Sequence, residues 1–132
     1  MIFDIRMGEN FRRKAHLVAD GHKTNTPASN TYSTVVSREA VCICLLLASL
    51  QDLDIMTADI ENAYLTAPCR EKYWTVAEPE FKHEEGKTFV VVRALYGLKI
   101  SGAVFRVHLA EILDNIGLCS SIADPDVWKR SS

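Results

Sequence analysis

Apolar and polar positions alternate unevenly along the chain, and the changes of rhythm mark its elements. Residues 2–7 and 11–19 read as two strands joined by Gly8-Glu9-Asn10, with Ala15, Leu17 and Ala19 alternating against His16, Val18 and Asp20. A polar stretch from Gly21 to Tyr32, rich in Thr, Asn, Ser and Pro, reads as a loop. Ser37 is placed to cap a helix over about Arg38 to Gln51, with Glu39 near its positive end. That helix is apolar almost all round from Val41 to Ala48, the pattern of a core helix. A short apolar strand is expected from Ile55 to Ile60, followed by a tight turn or short helix.

Ala67-Pro68-Cys69 interrupts the pattern, and Tyr73 to Val76 predicts a further short strand. A charged connection from Phe81 to Lys87 leads into Thr88 to Arg93, whose valines make it the clearest strand in the chain. Ala94 to Lys99 is a bend around Gly97. Ser101 can cap a last helix to about Asn115, with Val107, Ala110 and Leu113 on one stripe and Gly117 as its left-handed stop. A final short strand spans Asp126 to Lys129. Strands and helices mix without regular βαβ alternation, so the fold class expected is α+β, helices packed on one face of an antiparallel sheet.

Composition narrows the function less than pattern does. The 132 residues suit one domain, and with 48% apolar and 24% charged residues nothing resembles a disordered chain. A net charge of −2 provides no global basic field, although Arg6, Arg12, Arg13, Lys14 and Lys23 outnumber the acids near the start. That cluster suits either a solvated face or contacts to phosphates. Cys42, Cys44, Cys69 and Cys119 form no Cys-x-x-Cys pair and are expected as reduced thiols. No signal peptide or apolar run of about 20 residues occurs, so an intracellular chain, cytoplasmic or nuclear and without a membrane partner, is expected.

Asp59 is the residue whose type fits its place least. Aspartate is depleted in strand interiors, yet this one lies between Ala58 and Ile60. It suits a strand-end turn or helix cap, or a carboxylate held to bind a hard divalent cation.

Three segments in order resemble the copia-type retrotransposon reverse transcriptases. Lys14-Ala15-His16-Leu17-Val18-Ala19-Asp20-Gly21 is similar to a strand of the fingers. Asp59-Ile60-Glu61-Asn62-Ala63-Tyr64-Leu65 is similar to the palm motif that carries the first catalytic acid. Leu95-Tyr96-Gly97-Leu98-Lys99 is the third, and Ala123-Asp124-Pro125-Asp126 also looks like the family's segment beyond the following helix.

The resemblance implies RNA-templated DNA synthesis by two-metal nucleotidyl transfer. It makes Asp59 the first of three catalytic carboxylates and a metal ligand, and gives the Ile60 carbonyl to the same Mg2+ or Mn2+. Tyr64 would lie under the incoming sugar and exclude a 2′-hydroxyl, with Ala63 beside it. Tyr96 and Gly97 would form a bend close to nucleotide and template, and Lys14 and Lys99 would meet phosphates. Implied partners are an RNA or DNA template-primer and a dNTP. The implied organisation is one incomplete domain, fingers-like over about 1–36 and 66–97 and palm-like over about 37–65 and 98–132.

The sequence also departs from the family pattern. His16 stands for arginine and lacks a guanidinium's bidentate fork, Ile100 replaces a polar residue, and Phe105 stands for tryptophan. The Tyr-x-Asp-Asp hairpin that supplies the other two acids is expected beyond Asp126, and these residues contain no adjacent Asp pair. The expectation is a truncated polymerase domain inactive alone, or a non-catalytic module derived from it that binds nucleic acid or protein. Self-association through an exposed sheet edge and the apolar Val41–Ala48 helix is expected too.

Overall fold

A computed structural model describes the backbone of residues 2–6 and 12–16, residues 18, 19 and 27, and residues 31–130 throughout. The expected Gly8-Glu9-Asn10 turn, the Gly21–Tyr32 loop except Pro27, Thr31 and Tyr32, and the side chain of Lys14 lie outside the described residues. The elements run β1 (Ile2–Arg6), β2 (Arg12–His16), α1 (Arg38–Leu50), α2 (Ala63–Thr66), β3 (Pro68–Val76), β4 (Thr88–Arg93), α3 (Ser101–Asn115), β5 (Leu118–Ser120) and β6 (Trp128–Arg130). The class is α+β. Among the described residues, however, the strands form three separate two-stranded antiparallel sheets, β1-β2, β3-β4 and β5-β6, rather than the one sheet expected.

The chain divides into two compact units. Unit 1 holds Met1–Tyr32 and Asn62–Phe105; unit 2 holds Ser33–Glu61 and Arg106–Ser132.

In unit 1, β1 and β2 pair so that Asp4 lies opposite Lys14. β3 is longer than its sequence suggests, starting at Pro68, because a register shift between Pro68 and Tyr73 absorbs the interrupting residues. Beyond it Tyr73, Trp74, Thr75 and Val76 pair with Val91, Val90, Phe89 and Thr88. The charged connection is a 3-10 turn over Pro79–Glu84, closed where Gly86 N–H donates to the Ala77 carbonyl at 2.9 Å. Among the described residues Ala67, Ala77, Ala94, Leu98 and Ile100 are the buried apolar ones, and Ser101 is buried too. Ile100, a departure from the family pattern, is therefore a core residue. Ser101 is the first residue of α3, but its hydroxyl donates back to the Leu95 carbonyl instead of capping the helix. That bond ties the helix start to the bend before it.

In unit 2, Ser37 caps α1 as its position predicts, its hydroxyl accepting from Ala40 N–H at 3.1 Å. The expectation of a core helix is corrected. None of its residues is buried; Ala40 and Ala48, two turns apart on one face, are half-buried, and Val41, Ile43, Leu45, Leu46, Leu47 and Leu50 are exposed. The helix stands on its cap and on the intrinsic preference of Ala and Leu for helix. The strand expected over Ile55–Ile60 is also absent. Residues 53–60 pair with no strand and are exposed, and apolar character alone does not make a strand without a partner for its backbone groups. α3 keeps its expected bounds and is followed by Gly117 at φ +84°. Leu109, Ala110 and Leu113 are half-buried, whereas Val107 and Ile116 are exposed. The strand expected over Asp126–Lys129 is found as β6 but starts two residues later, Asp126 lying in the turn before it, and its partner β5 carries no sequence signal of its own.

Candidate functional site

Tyr64 lies on the single-turn helix α2, which begins after Asn62 in a left-handed conformation (φ +52°). Asn is among the few side chains that adopt this geometry readily. The turn closes where Leu65 N–H donates to the Asn62 carbonyl at 2.8 Å, and Thr66 Oγ1 bonds the Ala63 carbonyl at 2.6 Å. Arg93, at the end of β4, donates to the Thr66 carbonyl at 3.0 Å. A cation at the C-terminal end of a helical turn meets its free carbonyls favourably.

The ring of Tyr64 meets two others. Its centroid is 4.8 Å from that of Tyr96, tilted by 40°, and 5.9 Å from that of Phe105, near edge-on at 62°. Both separations suit attractive aromatic pairing, and all three rings are half-buried. Phe105 was singled out in the sequence only as a replacement for tryptophan; the structure makes it the third member of this cluster.

The Tyr96-Gly97 bend receives a third part of the chain. Ala19 N–H donates to the Tyr96 carbonyl at 2.8 Å. Gly97 has φ +90°, and a Cβ built on it would run into the Ala19 carbonyl and lie 2.8 Å from Val18 Cγ1. The close approach that requires glycine here is made by this chain's own Val18-Ala19 segment. The structure thus brings Tyr64, Tyr96 and Gly97 together in unit 1, with Ala63 on the same helical turn as Tyr64.

Asp59 and Ile60 belong to unit 2, and both are exposed. The helix-cap reading of Asp59 is corrected, because the N-cap of α2 is Asn62. Lys99 is exposed. Among the described residues no three or more His, Cys, Asp or Glu side chains gather to hold a metal ion. One carboxylate and one carbonyl fall short of the six or more oxygen ligands a hard divalent cation takes, so a full metal site is not built from the described residues alone.

Two acids outside the predicted site have structural work. Asp124 Oδ2 accepts from Ser37 N–H at 3.0 Å and from Ser37 Oγ at 2.9 Å, and its Oδ1 accepts from Asp126 N–H at 3.0 Å. Hydrogen bonds from the Ser37 backbone, then from Asp126 and the Ser37 hydroxyl, hold the Asp124 carboxyl below the usual carboxylate range. Asp126 in turn accepts from Arg106 Nε at 2.8 Å. The Asp-Pro-Asp segment therefore secures the start of α1 and pairs with α3 within unit 2. In the β3-β4 hairpin, burial and a 2.8 Å hydrogen bond to Glu71 push the Tyr73 phenol up to about 12. Burial also raises the Cys69 thiol, against the hydrogen bond it donates to the Glu71 carbonyl.

A family model described as reverse transcriptase (RNA-dependent DNA polymerase) matches residues 4–131. The chain belongs to the reverse transcriptase family. Among curated proteins it is similar to the retrovirus-related Pol polyprotein from transposon RE1 of Arabidopsis thaliana, 28% identical over 121 residues. It is 27% identical over 121 residues to the corresponding polyprotein from transposon RE2 of the same plant. Each alignment covers 89% of this chain and 8% of the relative, so the chain spans a small part of either polyprotein. These relatives make it a copia-type reverse transcriptase domain. No solved structure gives a significant match. The family uses divalent metal ions and binds a nucleic-acid template-primer. No described helix is long and apolar enough to cross a membrane.

Proposed function

We propose that this chain carries the nucleotide-facing part of a copia-type reverse transcriptase, and that Tyr64 selects the sugar. The observation that carries this reading is the meeting of Tyr64 with the Tyr96-Gly97 bend, itself bonded to Ala19, from three segments far apart in sequence. A ring held by two aromatic neighbours is a rigid wall, and a wall beneath a ribose discriminates by shape against one extra hydroxyl. Ala63, with its small side chain, leaves room beside that wall.

Asp59 is the chain's catalytic carboxylate in this reading. With the Ile60 carbonyl it would contact Mg2+ or Mn2+, while the other acids lie outside these 132 residues. In this reading residues of about 1–36 and 66–97 are fingers-like and those of about 37–65 and 98–132 palm-like, a division whose breaks differ from those of the two compact units near Tyr64 and at the start of α3. Lys14 and Lys99 are the candidate phosphate contacts. A polypeptide of these residues alone, without an Asp-Asp pair, leaves primer unextended on an RNA template.

Equilibrium binding in the presence of Mn2+ tests the selective role. The chain is expected to prefer dATP over ATP, and Tyr64→Ala to erase that preference while Tyr64→Phe keeps it. Equal affinity of the parent chain for both nucleotides refutes sugar selection. Metal-dependent primer extension by the 132-residue chain, lost in Asp59→Ala, refutes its inactivity.

A further inference from the structure

The two edges of the β3-β4 hairpin are built differently. β3 carries Pro68, which has no N–H, a register shift between Pro68 and Tyr73, and the charged run Arg70-Glu71-Lys72. Proline, irregular pairing and charge are the devices that stop an open strand from taking up another. β4 has none of them from Thr88 to Val92, where Thr-Phe-Val-Val-Val runs without charge, proline or glycine. Among the described residues its sheet holds two strands, so β4 has no neighbour on its outer side. Of the other described strands, β1, β2 and β6 carry charges and β5 is three residues long.

The ladder fixes which backbone groups face this edge. Ala77 N–H donates to the Lys87 carbonyl at 2.9 Å, and bonding alternates along an antiparallel strand, so Phe89 and Val91 bond to β3. Thr88 and Val90, both exposed, direct N–H and carbonyl outward. Antiparallel pairing of β4 with itself, about a two-fold axis beside Phe89, sets Thr88 of each copy opposite Val90 of the other. Each of those outward N–H and carbonyl groups then has a partner. Phe89 faces its counterpart across the axis, an aromatic pair at the position where side chains approach most closely. The charges agree with this register. Lys87, held by Glu84 at 2.7 Å, falls opposite Val91, and Arg93 comes level with Glu85 of the other copy. Lys82 and His83 lie in the connection beyond the paired residues, so no like charges oppose one another.

We propose that β4 is a dimerisation edge and that its occupant is β4 of a second copy of this chain, giving a four-stranded β3-β4-β4-β3 sheet. The Thr88 and Val90 spacing makes the strand its own match, and two-fold pairing is the commonest way in which identical chains close. The guarded β3 edges end the sheet, so assembly stops at two copies. The self-association expected from the sequence is thereby assigned to one strand. This edge shares no residue with the Tyr64 cluster, and the dimer does not depend on nucleotide binding there.

Sedimentation velocity of the full chain without nucleotide tests the edge. Strand pairing buries less than the roughly 800 Å² per partner of a standard interface, so a weak dimer is expected, forming between about 10 and 500 μM. Val90→Pro removes an N–H that faces outward and leaves the bonds to β3 intact. It is expected to weaken the dimer about tenfold or more, since one hydrogen bond is lost from each copy. Trp74→Lys, on β3, is expected to leave dimerisation unchanged. Circular dichroism matching the parent chain verifies that each variant folds. In the unaltered chain, amide exchange at Thr88 and Val90 is expected to slow as concentration rises, a readout that needs no variant. A chain that stays monomeric overturns the proposal, as does growth beyond the dimer. A dimer that survives Val90→Pro, or that Trp74→Lys abolishes, places the contact elsewhere and also overturns it. Unchanged dATP preference in Val90→Pro separates failure here from failure of the Tyr64 reading.

Discussion

Replacing Gly97 by alanine is the sharpest test of how the bend is built. At φ +90° an L-residue is strained, and the left-handed region costs about 1–2 kcal/mol for a residue bearing a Cβ. The new methyl also meets a backbone oxygen, Ala19 O, which cannot swing aside as a flexible side chain would. Relief requires the Val18-Ala19 segment to withdraw, breaking the 2.8 Å bond from Ala19 N–H to the Tyr96 carbonyl. That bond contributes about 0.5–1.5 kcal/mol. Together these place the loss at about 1.5–3.5 kcal/mol, a large fraction of the 5–15 kcal/mol typical of a folded domain. Gly86 in the same unit is the control, because it has φ +78° but nothing within 4 Å of a built Cβ. Gly86→Ala should therefore show the conformational cost alone, about 1–2 kcal/mol. Urea denaturation followed by tryptophan fluorescence, with Trp74 reporting on unit 1, measures both. Equal losses in the two variants would refute the docking of Ala19 against the bend.

Tyr64→Ala removes two aromatic contacts, each worth about 0.5–1.5 kcal/mol beyond its buried area, and should destabilise the chain by about 2–3 kcal/mol in the same assay, while Tyr64→Phe changes little. Asp124 has a folded-state pKa below its unfolded value, so its stabilisation is complete above about pH 4 and fades as pH falls through the lowered pKa. Thermal unfolding from pH 6 to pH 2 should show this acid limb, and Asp124→Asn should flatten it. Tyr73 has the opposite sign: its pKa is raised to about 12, so its contribution is intact below pH 10 and lost as pH climbs through 12. Titration at 295 nm should find one of the four tyrosines lagging, and Glu71→Gln should bring it forward.

The sequence disclosed most where a local signal governs the outcome. Ser37 and Gly117 bound α1 and α3 because caps and left-handed stops act within a few residues. The valine run of β4 matched its strand for the same reason. What was illegible depends on distant partners. Leu53 to Ile60 is as apolar as a strand yet pairs with nothing in the described residues. β5 exists only because β6 lies beside it. Asp124 looked like part of a sequence signature and proved to be the acid that holds Ser37, 87 residues earlier.

At the candidate site, the resemblance to the family's motifs singled out Tyr64, Tyr96 and Gly97, and their meeting is visible in the fold. The reason for glycine at 97 was not readable in advance. The family resemblance implied a backbone close to nucleotide and template, and the folded chain adds a neighbour that the sequence does not show, the Ala19 carbonyl against Gly97.

Photolabelling with 8-azido-dATP in Mn2+, followed by peptide mapping, addresses the nucleotide-facing role of the tyrosine cluster most directly. The account predicts modification within the peptides that carry Tyr64 or Tyr96, protected by dATP far better than by ATP. Labelling spread over other peptides, or equal protection by the two nucleotides, would contradict it.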